Sequence, residues 1–430
     1  MTDPATYAVT PVQGPLDFKL RVPGSKSLTN RALVLAALAS NECTLTGALQ
    51  SDDTQVMADC LRQLGWAVTV DAPAERITVT RPAGSAIVPE RAADLFVGNS
   101  GTTVRFLTAM LALGKGVYHL DGVPRMRERP IQDLLDALGQ LGVSATSDNE
   151  DGCPPVTVHA GGLYGGAVRV KSDASSQFLS GLLMAAPFAG GETVIEVAAG
   201  AVSEPYIAMT VALLRDFGLT LDEAEPGRYV VPGRQSHDRR EYAVEPDASS
   251  ASYFFAAAAI TGGRATLTGL TRDSLQGDVA FVDALARMGC AVTEWPDALT
   301  VTGGPRRGID LDMNAISDTV MTLAAVACFA EGPTTVRNVA HIRHKETDRL
   351  AATATELRKF GATVTETADG LVIVPGVLRG ATVDTYDDHR LAMSLALVGL
   401  RVPGVVVNDP GCVAKTYPGF WRDLERACGR

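Results

Sequence analysis

Two periodicities take turns along this chain. Five times a stretch with apolar residues at helical spacing ends on a glycine and runs into alternating residues: LRQLGWAVTV (61–70), LGQLGVSATS (138–147), LLRDFGLTLD (213–222), LARMGCAVTE (285–294) and LRKFGATVTE (357–366). A 3.6-residue period that gives way to a period of two predicts an amphipathic helix followed by a strand. The glycines, Gly65, Gly142, Gly218, Gly289 and Gly361, recur at intervals of roughly 70 to 77 residues. Glycine suits a helix end because it enters the left-handed conformation without a Cβ clash. A turn and a second short strand follow each time (RITVT, PVTVH, RYVVP, ALTVT, GLVIV), which predicts a hairpin.

Upstream of each amphipathic helix lies a more apolar one with a polar start. The six are SKSLTNRALVLAALA, NSGTTVRFLTAMLAL, DASSQFLSGLLMAAPFA, DASSASYFFAAAAI, SDTVMTLAAVACFA and DDHRLAMSLALVGL. Each period therefore reads βαβαββ, and six such repeats fill the chain. The sixth ends at WRDLERAC without a hairpin, and the N-terminal TYAVTPVQGPLDFKL supplies the missing strands, so the chain closes on itself.

The most polar stretch, GRQSHDRREYAVEP (233–246), predicts an interdomain crossing near Val244 to Pro246, with a second near Val22 to Gly24. The expected architecture is α/β with two domains of three repeats each. Residues 1–22 with 246–430 form one lobe and 23–245 the other, with a functional cleft between them. A solenoid of stacked repeats is the alternative for so long a period. Polar clusters at the apolar helix starts speak against a plain scaffold. Capping explains one oxygen per helix start; it does not explain Lys26, Arg105, His389 and Arg390.

The first of these starts, VPGSKSLTNRALVLAALAS (22–40), places Lys26 and Arg31 where unpaired backbone N–H groups and the helix dipole favour an anion. It is not a nucleotide P-loop, because Ser25 separates Gly24 from Lys26 and no glycine-rich loop precedes them. On local grounds alone, a capped helix with solvated charges fits equally well.

Composition narrows the field. A net charge of −11 argues against nucleic acid or an anionic membrane as partner. The longest apolar runs, such as ALVLAALA, fall far short of the roughly 20 residues that cross a bilayer. No leader peptide is recognisable, and the seven scattered cysteines form no C-x-x-C, so reduced thiols and a cytoplasmic location are expected. No histidine pair has metal-ligand spacing, so neither a metal nor another cofactor is expected.

Ten stretches in order, PGSKSLTNR, GNSGTTVR, PRMRERPI, ASSQF, SEPYI, DASSASYF, SDTVMTLA, RHKETDR, DDHRLAM and AKTYP, make the chain resemble the 5-enolpyruvylshikimate-3-phosphate synthase family over its whole length. The resemblance implies two inverse α/β domains of three βαβαββ units, in agreement with the repeat count. It implies transfer of the enolpyruvyl group of phosphoenolpyruvate to the 5-hydroxyl of shikimate 3-phosphate through a tetrahedral intermediate, with release of inorganic phosphate. It also implies a monomer that works on small molecules in aromatic amino-acid biosynthesis.

By the same resemblance, Lys26, Gly101, Arg125, Gln177, Arg349, Arg390 and Lys415 bind phosphoenolpyruvate. Lys26, Ser27, Arg31, Ser175, Ser176, Gln177, Ser203, Asp318 and Lys345 bind shikimate 3-phosphate. Asp318 and Glu346 match the acid/base pair, with Lys26 beside the leaving phosphate. Read without the resemblance, Asp318 caps a helix, Glu346 offsets a helix dipole and His389 is a core side chain. His341 stands where much of the family has an asparagine that contacts the shikimate ring, and Phe106 where many members have proline. Retention of Gly101 implies sensitivity to glyphosate, the family's phosphoenolpyruvate-competitive herbicide.

Two other functions compete. The sister enzyme that acts on UDP-N-acetylglucosamine shares the architecture, but many members carry a catalytic cysteine in the loop matching PRMRERP; no cysteine falls between residues 61 and 152 here. A non-catalytic phosphometabolite-binding protein on the same scaffold would lack Asp318 or Glu346; both are present.

Overall fold

Strand pairing shows how the repeats close. In the computed structural model, which describes residues 5–198 and 202–430, the strands form five four-stranded sheets and one three-stranded sheet. The chain divides into two compact units, Gly24–Val244 and Met1–Pro23 with Glu245–Arg430. Twelve α-helices lie among the described residues. In the first unit they are α1 (Lys26–Leu38), α2 (Asp52–Gln63), α3 (Gly101–Leu111), α4 (Gln132–Gln140), α5 (Ser176–Ala185) and α6 (Glu204–Asp216). In the second they are α7 (Ala248–Thr261), α8 (Phe281–Met288), α9 (Val320–Ala327), α10 (Arg349–Lys359), α11 (His389–Ala396) and α12 (Phe420–Ala427).

The sheet order Ala92–Phe96, Lys115–Asp121, Val156–Gly161, Ser144–Ser147 is one complete repeat. Its first two strands run parallel around α3, as a crossover helix requires, and the last two form an antiparallel hairpin after α4. The first repeat has no opening strand of its own; Glu241–Ala243 pairs parallel with Cys43–Thr46 and takes that place. The expected N-terminal strands are both present, in different sheets. Asp17–Leu20 pairs parallel with Arg264–Thr268, and Thr6–Ala8 pairs antiparallel with Val406–Asn408. The five hairpin glycines all have positive φ, from 78° at Gly218 to 111° at Gly289, as a left-handed helix end demands.

The six apolar helices form the interiors. Within one unit α1 packs on α3 and α3 on α5; within the other α7 packs on α9 and α9 on α11. Every residue of α7 is buried, which is why its sequence lacks a polar face. The amphipathic helices show the opposite pattern: α8 buries Phe281, Val282, Ala284, Leu285 and Met288 and turns its remaining face outward. This arrangement leaves the polar starts of the apolar helices to carry chemistry. No helix is long and apolar enough to cross a membrane among the described residues.

Candidate active site

In the unit Gly24–Val244, three helix starts carry the expected residues. Ser25, Ser100 and Ser175 cap α1, α3 and α5, accepting from the backbone N–H of Leu28, Thr103 and Gln177. Lys26 opens α1, and its Nζ lies 3.5 Å from Asp53. Gly101 opens α3 amid guanidinium groups: a Cβ there would lie 2.5 Å from Arg129 Nη2 and 2.7 Å from Arg105 Nη1. Arg105 donates to Gln177 Oε1 at 2.9 Å and to Pro130 O at 2.8 Å, and stacks over Phe178. Arg129 donates to the carbonyl and side-chain oxygens of Asn99. Arg125 pairs with Glu128 at 2.7 Å on the more open side of the PRMRERP turn. Ser176 is buried in α5, and Ser203, also buried, stands before α6 in the left-handed conformation with φ 55°. A serine held there is strained, a cost usually met where a site requires it.

Arg31 departs from the others. It is 1% exposed and donates to Thr210 Oγ1, Ser180 Oγ and the carbonyls of Tyr206 and Ser27, with the rings of Phe106 and Tyr206 against its guanidinium. Burial pulls its pKa down to about 10, which leaves it charged at neutral pH. Its donors tie α1, α5 and α6 together.

In the other unit, Arg349 is the centre. It opens α10, is 2% exposed, and meets three carboxylates: Asp388 at 2.7 Å, Glu346 at 2.8 Å and Asp318 at 3.0 Å. Burial opposes its charge, but Asp388, Glu346 and Asp318 together outweigh that and push its pKa up. The second Asp318 oxygen accepts from Arg390 Nη2 at 2.8 Å, so two guanidiniums grip one carboxylate. Asp388 works in two directions, since its side chain holds Arg349 and also accepts from the Arg390 backbone N–H, capping α11. Arg390 Nη1 donates to the Tyr253 hydroxyl at 3.4 Å. Lys415, in the turn Pro410–Lys415, acts electrostatically on Asp387 and His389, and Lys345 on His341. Asp318, Glu346, Arg349, Arg390, Lys345 and Lys415 therefore gather around the starts of α9, α10 and α11.

A family model described as EPSP synthase (3-phosphoshikimate 1-carboxyvinyltransferase) matches residues 11–424. The chain belongs to the EPSP synthase family. It is 45% identical over 426 residues to the 3-phosphoshikimate 1-carboxyvinyltransferase of Trichormus variabilis, covering 99% of this chain and 100% of the relative. It is 48% identical over 417 residues to that of Nostoc punctiforme, covering 97% of each. Among solved structures, the EPSP synthase from Acinetobacter baumannii superposes with a TM-score of 0.80 at 27% identity, covering 98% of both chains.

Membership in the EPSP synthase family makes the residues outside the expected set informative. Within PRMRERP the resemblance points to Arg125, yet Arg129 is the buried one, beside Gly101. In the sequence, Asp388 reads only as part of a helix start. Its spacing two residues before Arg390 is a capping signal, but nothing local indicates that it also reaches Arg349. No group of three or more His, Cys, Asp or Glu side chains is placed to hold a metal ion among the described residues.

His341 is buried beside Lys345 and Arg349. Desolvation first, then Lys345, pulls its pKa down to about 4, against the attraction of Asp318. It is neutral in the folded protein at pH 7. Because the folded value lies below the unfolded one near 6.5, its contribution to stability is complete above about pH 6.5 and is lost as pH falls toward 4. The shift corresponds to at most about 3 kcal/mol. Urea unfolding at a series of pH values should show stability falling through this window, and His341→Asn should flatten the fall. An equally steep fall in the variant would exclude His341 as its source.

Proposed function

We propose that this chain catalyses the transfer of the enolpyruvyl group from phosphoenolpyruvate to the 5-hydroxyl of shikimate 3-phosphate, with release of inorganic phosphate. The observation that carries the reading is the pair of carboxylates, Asp318 and Glu346, held by one buried arginine at the start of α10 in a chain that matches this family along its length. In the addition step, the 5-hydroxyl oxygen bonds to C2 of phosphoenolpyruvate. Its proton passes to Asp318, and Glu346 gives a proton to C3. In the elimination step C3 returns a proton to Glu346, the bond from C2 to the phosphate oxygen breaks, and phosphate leaves beside Lys26 with the proton that Asp318 had taken. Asp318 and Glu346 are both bonded to one arginine, which fixes the positions from which they exchange protons.

Substrate binding is assigned as the resemblance implies. Lys26, Gly101, Arg125, Gln177, Arg349, Arg390 and Lys415 take phosphoenolpyruvate, and Lys26, Ser27, Arg31, Ser175, Ser176, Gln177, Ser203, Asp318 and Lys345 take shikimate 3-phosphate. Arg31 also holds α1, α5 and α6 together beside that site. The reading further places the enzyme in the cytoplasm as a monomer that needs no nucleic acid, in keeping with the net charge of −11.

The test is phosphate release on mixing with both substrates, against omission of either. Release that needs both, and none when UDP-N-acetylglucosamine replaces shikimate 3-phosphate, is the expected result. Release with the nucleotide sugar instead would transfer the assignment to the sister activity.

Gly101 offers a sharper probe. A methyl group at this position must displace Arg129 and Arg105, because the clashing atoms are their guanidinium nitrogens. Loss of one charge-assisted hydrogen bond to the substrate corresponds to about 10- to 100-fold in affinity. Gly101→Ala should therefore raise KM for phosphoenolpyruvate by that order and leave KM for shikimate 3-phosphate within a few-fold. Steady-state kinetics with each substrate varied would check it; an unchanged phosphoenolpyruvate KM would mean the guanidiniums do not face that substrate.

A further inference from the structure

Asp278 is a buried carboxyl for which the proposed reaction has no stated use. It lies in the short 3-10 turn Gly277–Ala280, 3% exposed, and accepts a short hydrogen bond from the Ser249 hydroxyl at the start of α7. That turn packs against both α7 and the 3-10 turn Asn314–Thr319, which carries Asp318. Gln276 clamps the arrangement: its side chain donates to Pro246 O at 2.6 Å and accepts from Ala248 N at 3.0 Å. The placement of Asp278 is therefore fixed by three elements that meet beside the base.

Two guanidiniums on Asp318 favour its ionised form, and a carboxylate that is too well stabilised is a poor proton acceptor. A nearby negative charge works in the opposite direction. We propose that Asp278 is a positioning residue for the base, its carboxylate raising the proton affinity of Asp318 so that Asp318 can take the 5-hydroxyl proton. The inference rests on the function proposed above.

The charges around the pair support it. Asp278 is faced by Asp247 and Ser249 from α7, by Asp318 from the adjacent turn and by Arg390 from α11. Asp318 is faced by Arg390, by Arg349 from α10 and by His341 from the turn Ala340–His344. Burial first, and then Asp318, push Asp278 up to about 6, against Arg390 and the Ser249 hydrogen bond. Asp278 thus carries its charge at pH 7 and above.

The pH dependence of kcat distinguishes this role from simple packing. Asp278→Asn keeps the shape and a partner for Ser249 but removes the charge. Its acid limb should move down by about one pH unit, and its plateau kcat should fall several-fold, as expected for a weaker base. Ser249→Ala keeps the carboxylate and removes a bond that favours its ionised form, so Asp278 takes its proton at higher pH and the limb should move up. Thermal melts of both variants register folding separately. An acid limb that stays in place or moves up in folded Asp278→Asn, or that fails to move up in folded Ser249→Ala, overturns the proposal. Absence of phosphate release from the unmodified protein overturns the underlying function instead.

Discussion

Replacing Arg349 with methionine is expected to abolish phosphate release and to lower unfolding stability by about 3–5 kcal/mol, the range for removal of one partner from a buried ionic cluster. The size follows from what remains: Asp318, Glu346 and Asp388 would face one another with their shared guanidinium gone. Like charges in a poorly solvated site repel, and Arg390 reaches Asp318 through its side chain and Asp388 through its backbone N–H. Urea unfolding at neutral pH, compared with the unmodified protein, measures the cost. Acidification supplies an internal check, because the orphaned carboxylates take up protons and the deficit should shrink as pH falls. Arg349→Lys retains the charge without the planar fork that serves three partners, so it should recover part of the stability and little of the activity. Stability within about 1 kcal/mol of normal in the methionine variant would show that the cluster adds no net stabilisation.

Asp318→Asn carries the second large effect, on rate instead of folding. The amide keeps the shape, and Arg349 retains Glu346 and Asp388, so the fold should tolerate the change. What disappears is the proton acceptor, and loss of a positioned acid or base typically lowers kcat by about 10²- to 10⁴-fold. KM values should move far less, since the arginines remain. Single-turnover measurements at saturating substrates would separate this from slow product release. A kcat within about tenfold of normal would remove Asp318 from proton transfer and leave it only a structural partner of two arginines.

Much of this fold is legible in local pattern. The five glycines mark helix ends with positive φ because a left-handed residue is required there whatever the tertiary context. The missing sixth hairpin and the spare N-terminal strands are equally visible. Their destinations are not: nothing in DFKL says that it lies beside Arg264–Thr268 while TYA lies beside Val406–Asn408. Side-chain partnerships are harder still. Arg349 meets Asp318 across 31 residues and Asp388 across 39, separations that no helical or strand period encodes. Arg31 and Arg129 show the same limit in reverse. Their motifs suggest charge at a site, but which guanidinium turns into the protein depends on the neighbours it meets there, Thr210 and Ser180 in one case and Asn99 in the other.

The strand Asp17–Leu20 has a consequence for synthesis. Its partner strand begins at Arg264, which also salt-bridges Asp17 at 2.7 Å, across 247 residues of chain. Translation at about 5–20 residues per second keeps the early strand waiting for roughly 10–50 s before that partner leaves the ribosome. Residues 24–244 build their sheets from their own strands: Cys43–Thr46 pairs early with Arg76–Thr80 and waits on its other edge for Glu241–Ala243. The nascent polypeptide thus folds its middle first, holding an unpaired edge at its leading end, and it is in that interval that a chaperone would find something to grasp.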